Sequence, residues 1–220
     1  MHPARLLYLL LFAGLPAHAA DGVVLIDQAR ALAGGITPGD SPGFPVTLSQ
    51  PGSFRLSGNL AVSDLAVSAI VIASRDVSLD LNGFAISGPN VCAGSGVAMN
   101  CTADGMAGTR GHGVDIPDAE STPVAIENGS ISGFAGCGIL ANSGNAQVHR
   151  LRASANGQYG IVNAGLVTGS TAVRNGLYGI GNGAAVLNNL ASGNRGGSIH
   201  GSHIRFNRLD GDTAFNTQID

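Results

Sequence analysis

Lysine and tryptophan are both missing from this chain of 220 residues, and charged residues make up only 11% of it. Without lysine, and with 11 arginines against 14 acids, there is no basic tract to hold a phosphate backbone, so nucleic acid is not an expected partner. Without tryptophan, and with only three tyrosines, the chain lacks the usual aromatic platform of a lectin. Long apolar runs are scarce: the longest, residues 6–15, is about half of the ~20 residues that a membrane-spanning helix needs. Acids are absent from one whole stretch. Between residues 128 and 209 six arginines (150, 152, 174, 195, 205, 208) stand without an aspartate or glutamate, whereas residues 20–127 carry eleven acids against four arginines. That absence excludes a calcium site of clustered aspartates there. It confines paired carboxylates to Asp80, Asp115, Asp118, Glu120 and Glu127. None of the six histidines has metal-ligand spacing to a cysteine or to further histidines, so neither a metal nor a cofactor is expected.

What is present at the start reads as an export signal. Arg5 supplies the positive charge, residues 6–15 the short apolar run, and Ala17-His18-Ala19 the small-x-small cleavage motif. The mature chain is expected to begin near Ala20 or Asp21, in the periplasm or outside the cell. Three cysteines in such a compartment invite pairing. Cys92 and Cys101 bracket CAGSGVAMNC, and a disulfide closing that loop contributes roughly 2–3 kcal/mol. Cys137 is left over and reads as a small packed residue, since no histidine or acid lies near it in sequence.

Four segments lie over one another: IENGSISGFAGCGI, VHRLRASANGQYGI, VTGSTAVRNGLYGI and VLNNLASGNRGGSI. The last three repeat every nineteen residues and align Val148, Val167 and Val186, then Ala153, Ala172 and Ala191, then Ile161, Ile180 and Ile199. Apolar positions at 0, +5 and +13, with Asn156, Asn175 and Asn194 at +8, predict a solenoid in which each repeat is one coil. The irregular spacing disfavours the left-handed hexapeptide helix. The fold class is therefore all-β: a single right-handed parallel β-helix of about eight coils, over residues 54–220. Residues 24–33 predict an amphipathic helix that caps the first coil, stopped by Gly34-Gly35. Residues 36–53, with four of the nine prolines, predict a connector, and residues 88–122 a loop insertion leaving the coil.

The segments GSFRLSGNL and AIVIASRDVSLDLNGFAISGP, followed by copies of NGxYGI, resemble secreted bacterial right-handed parallel β-helix proteins of the pectin-lyase-like superfamily. The resemblance covers roughly residues 24–210. It implies the fold and an acidic polysaccharide as a candidate partner, but no one activity. The Asp-Pro-His-Asp motif of its epimerases is absent. Gly111-His112-Gly113 is superficially similar to the histidine motif of its pectin hydrolases, without the aspartate motifs that precede it.

Two sets of side chains are candidates for binding. If Val148 and Ile204 point inward, His149 and Arg205 point outward. Arg152 and Arg208 share a second outward slot at +4. Arginine forks suit the carboxylates or sulfates of an acidic glycan; the alternative is a merely solvating surface. His112, Asp115 and Asp118 meet in the insertion as a loop pocket, or lie in solvent. Tyr159 and Tyr178 share slot +11 and are expected to stack on each other. The leading expectation is a non-catalytic structural or interaction module, with binding or modification of an acidic polysaccharide as the alternative. End-to-end association through the open coil ends is a further expectation.

Overall fold

The computed structural model describes residues 22–117, 123–142 and 144–210, with the backbone of Phe215–Asn216. The export signal expected over residues 1–19 lies outside them, as do Asp118 and Glu120.

The chain is a parallel β-solenoid of about seven turns, in keeping with the repeat pattern of the sequence. Each turn contributes to three sheets, all paired in parallel. Sheet A begins with Val24–Ile26, Gly52–Leu56 and Val77–Asp80 and continues through residues 124–127, 146–149, Leu166–Thr168, 185–187 and 203–205. Sheet B runs from Leu60–Ala61 and Ala85–Ser87 to Leu190–Ser192 and Arg208–Asp210. Sheet C runs from Val46–Leu48 and Ile70–Ile72 through Val114–Ile116 and Ile139–Ala141 to residues 197–201 and Phe215–Asn216.

The three aligned apolar positions become the three columns of the core. Leu79, Ile126, Val148, Val167 and Val186 stack in sheet A, and Ile131, Ala153, Ala172 and Ala191 in sheet B. Ile139, Ile161, Ile180 and Ile199 stack in sheet C, and all thirteen of these residues are fully buried. Sheet B narrows from Leu60, Ile86 and Ile131 to alanine because an asparagine ladder shares its space. Asn175 Oδ1 accepts from Asn156 N and Nδ2 (3.2 and 3.1 Å), and its own Nδ2 donates to Asn194 Oδ1 and Ala153 O (3.0 and 3.3 Å). The glycine before Ile139, Ile161 and Ile180 fits the same crowding, Ser198 taking that place before Ile199. A Cβ at Gly160 would lie 2.5 Å from Gly179 O and 2.9 Å from Asn175 Nδ2. A second ladder, Ser170–Asn189–Asn207, lines the corner between sheets A and B.

Each coil bends through a left-handed residue. Asn82, Asn128, Arg150, Asn188 and Phe206 hold φ between 48° and 61° at the corner from A to B, and Ala155 and Arg174 do so at the next, near 54° and 52°. Asparagine tolerates this region, but for the others it costs on the order of 1 kcal/mol each, and nothing in their residue types announces it.

The N-terminal cap differs from the helix expected over residues 24–33. Val24–Ile26 is a strand, paired with residues 54–56, because its apolar residues alternate inward. The helix is only Gln28–Ala33, started by Asp27, whose carboxylate accepts from Arg30 N at 2.9 Å. Side chains then occupy the exposed edges of the first strands. Gln28 pairs with both backbone groups of Ala61 (3.2 and 2.8 Å). Asp40 accepts from Thr47 N (2.7 Å) and Ile36 N (3.0 Å), and Thr37 Oγ1 donates to Thr47 O (2.6 Å).

Candidate functional site

The alternation that buries Val148 and the alanine column turns the residues between them outward. His149 and Arg205 fall in one outer column of sheet A, separated by Thr168 and Leu187. Arg152 and Arg208 fall in one outer column of sheet B, separated by Thr171 and Leu190. Members of each pair are three coils apart, about 14 Å at the spacing of neighbouring strands. The four residues therefore lie on two faces and do not converge. Nor are they chemically equivalent: Arg208 is paired with Asp210 at 3.1 Å, and His149 Nε2 lies 3.4 Å from Gln147 Oε1.

Sheet A also brings together two of the acids. Asp80 and Glu127 sit side by side in adjacent coils, each answered by an arginine: Arg55 for Asp80 at 3.0 Å and Arg150 for Glu127 at 2.9 Å. They are ion-paired carboxylates rather than a free acid and base.

The insertion is shorter than expected. Val114–Ile116 is a strand of sheet C with Val114 and Ile116 buried, so Asp115 stands on the coil wall between Val71 and Leu140 and not in a loop. His112 does lie close to Asp115; Asp118 falls outside the described residues. Burial pushes the His112 imidazole down against the pull of Asp115, and burial pushes the Asp115 carboxyl up against the pull of His112. Asp115 Oδ1 is buried with no hydrogen-bond partner. Cys137 comes alongside, which its sequence neighbourhood gave no hint of: its backbone N–H donates to His112 Nδ1 at 2.9 Å. That bond leaves the neutral ring's proton on Nε2. The Cys137 thiol is buried, faces Gln158 Oε1 at 3.8 Å and is pushed up by burial to about 12. A thiol so disfavoured as an anion is packing, not an activated nucleophile. Tyr159 and Tyr178 continue this strip, stacked at 5.9 Å with their planes 18° apart, and His200 follows at 6.2 Å. Among the described residues no group of three or more His, Cys, Asp or Glu is placed to hold a metal ion.

Sequence reasoning missed the groove beside sheet B. Cys92–Ala93 pairs antiparallel with Asn100–Cys101, and the disulfide Cys92–Cys101 closes the lobe they form. The lobe folds back onto the corner between sheets B and C. Asn90 Nδ2 donates to Ala155 O (3.1 Å), and Gly96 N donates to Gly193 O (3.0 Å). Arg195 grips Asp104 through both terminal nitrogens (2.7 and 2.8 Å) while its Nε donates to Gly176 O (2.7 Å). The Arg195 hydrogen bonds, opposed by partial burial and aided by backbone and charge, hold the Asp104 carboxyl below its ordinary range. Between lobe and solenoid runs a groove of about 930 Å³. Ser95–Val97 form one wall, Arg152 and Arg174 stand on the other, and Asp210 lies at the far rim.

No protein-family model matches the chain, and comparison with curated proteins and with solved structures finds no significant match. Fold and surface together define a β-solenoid protein with a disulfide-closed lobe, in which, among the described residues, no helix is long and apolar enough to cross a membrane.

Proposed function

We propose that the chain is an exported, non-catalytic interaction module of the pectin-lyase-like superfamily, and that its partner is an acidic polysaccharide. The observation that carries the reading is that residues 128–209 hold six arginines and no acid, and that while Arg150, Arg195 and Arg208 are answered by acids outside the stretch, the side chains of Arg152 and Arg174 have no ion pair among the described residues. Guanidinium groups on a rigid wall suit the carboxylates of a glycan. Export agrees with the signal-like residues 1–19 and with a disulfide that an oxidising compartment maintains. Binding is favoured over turnover because the acid–imidazole pair Asp115 and His112 stands beside a protonated thiol on sheet C, away from the arginine columns of A and B.

The test is to titrate the purified protein with alginate, pectate and other uronate glycans, following thermal shift and absorbance of unsaturated product. A shift without product is expected. Product formation overturns the non-catalytic assignment, and no shift with any acidic glycan overturns the partner.

A further inference from the structure

We propose that the groove between the lobe and sheet B is an oxyanion site in which Arg152 and Arg174 hold a carboxylate or sulfate and the disulfide-closed lobe supplies the facing wall. The inference builds on the reading above, although the chemistry it needs is shared by a uronate, a sulfate ester and inorganic sulfate.

Three observations carry it. The first is a division of labour among the arginines. Arg150, Arg195 and Arg208 are engaged by Glu127, Asp104 and Asp210. Arg152 and Arg174 line the groove, and among the described residues neither side chain has a hydrogen bond or an ion pair. Each is exposed and brings five N–H donors free to meet an acceptor from outside.

The second is placement. Arg174 occupies the left-handed corner, φ 52°, and its Cγ lies 3.4 Å from where a Cβ of Gly193 would stand, so the stem rests on the next coil where a glycine leaves room. A stem held in this way loses less freedom when its guanidinium engages a ligand.

The third is the wall. Four hydrogen bonds to Asp104, Met99 and Gly176 consume most of the Arg195 donors, so this residue positions the lobe and leaves ligand contact to its two neighbours. Asp210, ion-paired with Arg208, offers an anion no contact at the far rim. A linear glycan would thus lie along the solenoid axis with its acid group at the Arg152–Arg174 end and hydroxyls toward Asp210. The rise between coils, ~4.8 Å, is close to one sugar unit of an extended 1,4-linked chain.

The test uses calorimetric titration of the full chain with inorganic sulfate, an oligogalacturonate and a sulfated disaccharide. Variants are Arg152→Ala with Arg174→Ala, Arg75→Ala at an exposed corner outside the arginine-rich stretch as a control, and Cys92→Ser with Cys101→Ser. The double arginine variant is expected to weaken every anion that binds by about tenfold or more, with the control unchanged. The cysteine variant is expected to weaken binding while the circular dichroism of the solenoid persists. If sulfate binds through the two arginines and no glycan does, the site stands and the polysaccharide reading falls. If a glycan binds equally well to the double variant, the reading stands and the site falls. Failure of wild-type protein to bind any of the three anions overturns the site.

Discussion

Asn175 is the middle rung of a buried ladder, and its side chain satisfies groups in the coils on both sides of it. Asn175→Ala strands the Asn156 N–H and the Ala153 carbonyl away from water. A loss of about 2–4 kcal/mol is expected in urea denaturation, the cost of two buried polar groups without partners. Asn188, at an exposed corner with φ 57°, is a contrast: Asn188→Gly should leave stability nearly unchanged, since glycine adopts that region freely. Cys137 yields a prediction in the opposite sense. With its thiol pushed up to about 12 and buried, it should resist thiol reagents at neutral pH in the native protein and react only in denaturant.

At the scale of elements, the lobe depends on two fastenings that respond to different conditions. Asp104 has a lowered carboxyl pKa in the folded state, so its contribution is complete above the ordinary aspartate range and is lost as pH falls through the lowered value. Hydrogen exchange in residues 92–104 should therefore speed up in acid before the core columns lose protection. Replacing Cys92 and Cys101 by serine should cost the lobe about 2–3 kcal/mol, read as protease cleavage within residues 92–101 with the coils intact. These two fastenings also mark what was legible in the sequence. The disulfide was readable because its cysteines bracket a short loop. The solenoid and its three columns were readable because they recur every nineteen residues, so each coil repeats the evidence of the last. The Arg195–Asp104 bond spans 91 positions and occurs once, so no periodicity exposes it. Asp115 was misplaced for a related reason: a three-residue strand after an irregular lobe carries too few alternations to stand out. Val24–Ile26 was absorbed into the helix because Val24, Ala31 and their neighbours satisfy both periods over so short a span.

For the whole molecule, the edge of the first coil bears on how copies associate. At the start, Gln28, Asp40 and Thr37 occupy backbone groups that a further coil would otherwise pair. Natural sheets commonly blunt an exposed edge in this way, and head-to-tail stacking through that end is expected to be hindered. Gln28→Ala combined with Asp40→Ala should reopen it. Light scattering is expected to show concentration-dependent association of the double variant beyond that of the parent, and equal scattering would refute the assignment of these side chains as edge blocks.

The copies beginning at Val148, Val167 and Val186 superpose column on column. The molecule is in this sense a modular ruler: an extra nineteen-residue unit spliced between two copies has every neighbour it needs already in place. Duplication of a single unit would lengthen the wall by one notch without redesign of either terminus, which gives such a chain a cheap route to partners of different length.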